Sequence, residues 1–308
     1  MTYCLGLCLD DGLVLASDSR TNAGVDYVTT YSKMHVFTPA PDRLFVILSA
    51  GNLATTQEVM NHIQRDLDYP SGTTNLANVR YLFEAAEYVG RISLQVQQEH
   101  NPALSTVGVS GETTLLIGGQ IQGQAHGLML IYPQGNYITA SRETPYLQIG
   151  ESKYGKPALD RIAEPGMSLE EGAQLVLVSL DATTRSNITV GPPFEVAVYQ
   201  RDVLQLRNRC RFDERDPYLI QVRETWNDGI REGFSKLPRF NWEQDNPTVE
   251  DINQAAAQTQ TPPQQPGMTA PDPAPQPEPV DPGPNQTQTN ESAEPAQTIQ
   301  TSQPQTMG

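Results

Sequence analysis

Thr2, directly behind Met1, is the residue of this chain best suited to nucleophilic chemistry. Threonine is small enough for an aminopeptidase to remove Met1. That removal would leave a hydroxyl nucleophile and an α-amino base on one residue. An unperturbed α-amine titrates near roughly 8, so modest tuning makes it an effective base at neutral pH. Such a site needs a cation near the amine to keep it largely neutral, because like charges disfavour an ammonium. It also needs an anion to fix that cation, and backbone N–H donors for the tetrahedral oxyanion. Asp18, in ASDSR at the end of a predicted second strand, offers the anion; Lys33, in YSKMHVF, offers the cation. Gly51 closes a third strand and opens a helix, where its backbone can approach a substrate closely. Singly, each has a plainer reading as a solvated lysine, a strand-ending aspartate or a backbone glycine. In this order and context they describe a threonine active site.

The elements that must position these groups are legible in the hydropathy pattern. Tyr3, Leu5, Leu7 and Leu9 alternate with small residues, Asp11-Gly12 predicts a tight turn, and LVLAS returns as a second strand. LFVILSA runs to Gly51. Val59, Ile63 and Leu67 then fall on a helical stripe over 53–67, broken by Tyr69-Pro70-Ser71-Gly72. A longer helix is predicted over about 78–98 from Leu82, Ala85, Ala86, Val89, Ile92 and Val96. Strands follow in TTLLIGG, HGLMLIYP and YITAS, then helices over 151–162 and from the capping box Ser168–Glu171 through AQLVLVSLDATTR. FEVAVYQ and VLQLRN close the pattern as strands. Grouped strands and grouped helices predict antiparallel sheets with helices on their outer faces, not a doubly wound parallel sheet.

The bulk composition narrows the function. Net charge is −16, and all 20 lysines and arginines lie at or before Arg239. From Asn246 onward there are seven acidic residues, no basic ones and 13 of the 25 prolines. This stretch cannot bury enough apolar surface to offset its ordering entropy, so the chain divides into a domain over 1–243 and a disordered Pro/Gln-rich acidic tail over 244–308. The −9 left on the residues before Asn246 argues against a nucleic-acid surface. No apolar run approaches the ~20 residues of a membrane span, and the N-terminus lacks a signal-peptide pattern, so a cytoplasmic location is expected. Cys4, Cys8 and Cys210 form no CxxC pair, and His35, His62, His100 and His126 are scattered; no metal or organic cofactor is expected.

The set Thr2, Ser17-Asp18-Ser19-Arg20, Lys33, Gly51-Asn-Leu-Ala-Thr-Thr-Gln57 and Gly150-Glu-Ser152 resembles the proteasome-type β-subunit family of N-terminal-nucleophile hydrolases. MTYCLGLCLDDG, LSAGNLATTQ, IGESKYGKPALDR and RSNITVGPP look closer still to its Anbu branch of bacterial proteasome-like proteins. The resemblance covers residues 2 to 240. It implies an α+β fold, a four-layer αββα sandwich of two antiparallel sheets covered by helix pairs. It implies Thr2 as nucleophile and its amine as base, Lys33 depressing that amine, Asp18 orienting Lys33, and Gly51 donating to the oxyanion. It further implies a serine near the amine, for which Ser152 or its neighbour Glu151 qualifies, and an Asp-Ser pair, for which Ser186 fits while Thr183 replaces the aspartate. The implied activity is a threonine-type peptidase acting on a peptide or unfolded protein within a homo-oligomeric ring or helical assembly. The helix over 78–98 and the strand-rich middle are candidate interfaces; dependence on an ATPase partner is left open. Two rivals keep the same fold: an amidase of a small or unusual amide, and a non-catalytic ring scaffold. One internal expectation follows from the hairpin. A two-residue turn at Asp11-Gly12 sets Thr2 opposite Thr21 and Asp18 opposite Leu5, on opposite faces, so a β-bulge between Ser17 and Thr21 or a different turn length is predicted.

Overall fold

In the computed structural model, residues 1–22, 28–70, 72–240 and 253–254 are described. Met1–Pro238 form one unit. The acidic tail expected over 244–308 lies outside the described residues, apart from 253–254.

Strands β1 (Tyr3–Leu9) and β2 (Gly12–Asp18) make the opening hairpin. They sit inside a five-stranded sheet in the order β10-β1-β2-β11-β12, with β10 at Tyr146–Gly150, β11 at Phe194–Gln200 and β12 at Asn208–Phe212. The second five-stranded sheet runs β5-β6-β7-β8-β9: Met34–Ala40, Arg43–Gly51, Thr113–Ile121, Gly127–Ile131 and Tyr137–Thr139. A two-stranded ribbon, β3 (Arg20–Asn22) and β4 (Val28–Thr30), follows β2. Every strand pairing is antiparallel.

The alternation seen in the sequence sorts side chains into three cores. Cys4, Leu13, Leu15, Leu48, Leu116, Leu128 and Tyr199 fill the space between the two sheets. Tyr3, Leu5, Leu7, Leu9, Val14 and Ala16 point the other way, into a core completed by α3 (Lys156–Ile162), α4 (Leu169–Ser186) and α5 (Pro217–Ser235). On the far side, Phe45, Ile47, Leu115 and Ile117 pack against α1 (Leu53–Asp68) and α2 (Leu82–Ser105) through the predicted Val59, Ile63, Leu82, Ala85, Val89 and Val96. The result is an αββα sandwich. All seven residues of β2 are buried because both faces of its sheet are covered. Each fully buried leucine contributes about 1.5–3 kcal/mol.

Several boundaries differ from expectation for local reasons. The hairpin pairs Leu9 with Gly12, so Asp10-Asp11 form the two-residue loop and Gly12 begins the strand. Gly12 has φ +149°, and a Cβ there would lie 1.9 Å from the Tyr199 carbonyl oxygen: its glycine serves close passage beside β11, not the turn. The last strand begins at Asn208, not in Val203–Arg207, where Leu204 adopts φ +55°. The helix expected over 151–162 starts only at Lys156. Strand β10, the ribbon, β5 and helix α5 were not anticipated; α5 makes the second helical layer three helices, not a pair. Among the described residues no helix is long and apolar enough to cross a membrane.

Candidate active site

The site forms where β1, β2, β6 and β10 reach the same end of the sandwich. Gly150 pairs with Tyr3, and the next N–H, of Glu151, donates to the Thr2 carbonyl at 2.7 Å, so β10 pins the backbone of Thr2 from one side. From the other side comes Asp18, the last residue of β2. Its carboxylate is fully buried and accepts from the Tyr3 N–H at 3.0 Å, the Lys33 ammonium at 2.6 Å and the Gly191 N–H at 3.3 Å. Lys33 also donates to the Arg20 carbonyl at 2.7 Å. The loop after α4 thus closes over the end of β2, and Arg20 fastens that loop by donating to the carbonyls of Ile188 and Val190 at 2.8 and 3.5 Å.

The hairpin register is regular from Cys4↔Ser17 to Leu9↔Gly12, so the expected bulge is absent. The conflict of faces is resolved otherwise. Thr2 precedes β1, and Ser19 interrupts the chain between β2 and β3, so ladder alternation does not govern Thr2. Asp18 is directed at Lys33 within a regular hairpin.

Thr2, Met1, Arg20, Thr21, Gly51 and Gly150 line a cleft of about 370 Å³. A second hollow of about 480 Å³ shares Gly51 and Gly150 with it and continues past Asn52, Ser110, Glu112 and Thr114. Gly51 is exposed at the end of β6 with φ +125°, and a Cβ there would lie 2.2 Å from the Glu112 carbonyl oxygen. No other residue allows this approach. Directly after it Asn52 caps α1, accepting from the N–H groups of Ala54 and Thr55, so the positive end of the helix borders the cleft. The Thr21 hydroxyl is buried without a hydrogen-bond partner among the described residues. A more apolar groove of about 500 Å³ between α4 and α5, lined by Val178, Val222, Trp226 and Ile230, contains none of the candidate residues.

The electrostatics follow from this packing. The free amine in this structure is that of Met1, one residue outside the amine that Thr2 would carry. Burial, then the Lys33 charge, hold it below its ordinary value, against Asp18 and Glu151. Burial pushes the Asp18 carboxyl up, opposed by Lys33 and the two backbone donors. The nearby Cys4 thiol is pushed up strongly by burial and so stays protonated, no competitor to a hydroxyl nucleophile.

Thr2, Asp18, Lys33 and Gly51 are therefore brought to one end of the sandwich. Ser152 and Ser186 are not: both are exposed, neither lines the cleft, and neither side chain makes a hydrogen bond among the described residues. Their neighbours face inward instead. Glu151 is buried and accepts from Asn187 Nδ2 at 3.0 Å and from the Lys153 N–H at 3.2 Å. Thr183 donates to the Ser179 carbonyl of its own helix at 2.9 Å. Sequence reasoning missed Asn187 and Gly191, although both lie in the motif RSNITVGPP. Among the described residues no group of three His, Cys, Asp or Glu is arranged to hold a metal.

Comparison with known proteins agrees with this architecture. The proteasome subunit family model matches residues 2–199. Anbu (ancestral beta-subunit) from Yersinia bercovieri is 42% identical over 77% of this chain and 99% of its own, with a TM-score of 0.71. Anbu from Hyphomicrobium sp. strain MC1 is 40% identical over 77% and 99%, with a TM-score of 0.70. The helical assembly of the Anbu complex from Pseudomonas aeruginosa gives 40% identity over 79% and 100%, with a TM-score of 0.74. No curated protein matches. With residues 2–199 matched by the family model and relatives at about 40% identity over more than three quarters of the chain, the chain belongs to the proteasome subunit family.

Proposed function

We propose that the chain is a threonine-type peptidase subunit whose nucleophile is Thr2 after removal of Met1. The observation that carries this reading is the buried 2.6 Å Lys33–Asp18 pair set against the N-terminal residues. Thr2 Oγ attacks the scissile carbonyl carbon while its proton passes to the Thr2 amine. The tetrahedral oxyanion forms beside Gly51 and the N-terminus of α1. As the C–N bond breaks, the ammonium returns the proton to the leaving amine, and an ester on Thr2 remains. Water, deprotonated by the same amine, then releases the acid. Lys33 keeps the amine in its basic form, and Asp18 holds Lys33. The two hollows joined at Gly51 and Gly150 suit an extended peptide better than a small amide. The Anbu helical assembly from Pseudomonas aeruginosa supports a homo-oligomeric assembly for this chain as well.

The test is Thr2→Ala in the assembled protein, with intact mass used first to establish loss of Met1 from the parent. Peptide hydrolysis and labelling by a threonine-directed electrophile should fall on the order of 10³-fold or more. Undiminished labelling of Thr2→Ala, or full retention of Met1 in active material, would refute the assignment.

A further inference from the structure

Six charged side chains are buried among the described residues: Asp18, Lys33, Arg43, Glu151, Asp181 and Glu195. Five have a counter-charge. Asp18 and Lys33 share each other, Arg43 has Asp42, Asp181 has Arg185 and Arg223, and Glu195 has Arg209. Glu151 has amides only: the Asn187 side chain and the Lys153 N–H. A buried carboxylate is costly unless it is well paired, so a cation close by would find a partner here. The nearest backbone supplies the answer. The Glu151 N–H binds the Thr2 carbonyl at 2.7 Å, Gly150 packs on the same carbonyl group, and Glu151 already acts electrostatically on the Met1 amine one residue further out.

We propose that Glu151, held by Asn187, is the counter-ion and positioning residue of the Thr2 α-ammonium. Asn187 is itself buried and fixed, its Oδ1 accepting from the Thr189 N–H at 3.0 Å and hydroxyl at 2.6 Å, so the carboxylate is locked in place. The charged groups around the amine then oppose one another. Lys33, before β5, favours the neutral base. Asp18, at the end of β2, also favours the ammonium while it binds Lys33, and Arg20, on β3, is tied to the loop carbonyls. Glu151, after β10, favours the ammonium. Its service falls in the step where Thr2 Oγ has lost its proton to the amine: the carboxylate stabilises that ammonium and keeps its N–H directed until the proton passes to the leaving group. No bond to Glu151 forms or breaks. A base that Lys33 alone would weaken is thereby kept strong enough to accept the proton.

The inference rests on the peptidase reading only for the removal of Met1, and its test needs no turnover. The pH dependence of Thr2 amine acylation by acetic anhydride, read by peptide mass, gives the amine pKa in the assembled mature chain. Glu151→Gln should lower that pKa by about one pH unit, and any acid limb of hydrolysis should move down with it. Glu151→Asp, which keeps the charge but withdraws it by one methylene, should fall between the two and carries the test if Glu151→Gln does not assemble. An amine pKa indifferent to both variants overturns the proposal, whatever they do to stability. A Glu151-dependent amine in a chain that never hydrolyses peptides would uphold this inference and refute the peptidase reading. Thr2-dependent hydrolysis with an indifferent amine would do the reverse.

Discussion

Two lysine–aspartate pairs of nearly equal length stand in contrast. Lys33–Asp18 spans 2.6 Å at the end of the sandwich, and Lys156–Asp160 spans 2.5 Å on the surface of α3. Their settings drive the carboxyl groups in opposite directions. Burial pushes Asp18 up despite Lys33, whereas the Lys156 and Tyr146 hydrogen bonds hold Asp160 below the usual carboxylate range. Distance alone therefore says little about what a pair does. The surface pair stabilises a helix by a small, salt-screened amount. In the buried pair, burial works against the charge on Asp18, so the two groups depend on each other, and that tension can be directed at a third group, the N-terminal amine.

The sharpest way to break the contrast is Lys33→Met, which leaves Asp18 buried without its cation. It should cost about 3–5 kcal/mol of stability, read by chemical denaturation, as well as activity. Adding Asp18→Asn should return most of that loss, leaving about 1–2 kcal/mol: the amide oxygen still accepts the Tyr3 N–H, but the Gly191 N–H loses a charged partner. Hydrolysis should stay absent, separating the pair's structural part from its chemical part. Next is Tyr3→Phe, since the Tyr3 hydroxyl meets Ser179 at 2.7 Å and Gln148 at 2.5 Å in the core behind the site. About 1 kcal/mol is expected, with the N-terminal amine unaffected. Smallest is Asp160→Ala, within about 0.5 kcal/mol at moderate salt. Its wild-type contribution has a definite sign in pH. Asp160 is depressed on folding, so the contribution is present above the ordinary aspartate pKa and fades as pH falls through the lower folded value. Equal losses for Lys33→Met and Asp160→Ala would refute the distinction.

What the sequence disclosed depended on how local each signal was. The capping box at Ser168 was readable because both halves lie within one turn, and both hydrogen bonds are present. Helices α1 and α2 showed clear stripes. Helix α5 did not, because only Leu219 is buried on it and Gly229 and Gly233 interrupt its pattern. Its start was nonetheless signalled by Asp216-Pro217, where Asp216 caps the N–H groups of Tyr218 and Leu219. At the site, Thr2, Asp18, Lys33 and Gly51 could be named from type and order. The choice between Glu151 and Ser152 could not. It turns on the backbone at Gly150, at φ +82°, which sends one neighbour inward and the next to solvent. Asn187 was hidden for a similar reason: α4 ends at Ser186, and the change of direction there decides which side chain faces in.

The Gly191 N–H on Asp18 spans 173 residues of chain. Asp18 and Lys33 are therefore made well before the loop that locks their ion pair, which comes late in the domain. On the proposed peptidase reading, the Thr2 hydroxyl is made long before the pair that would activate it is complete. On that reading, synthesis order would itself set an interval in which the N-terminus could be trimmed before the site is complete.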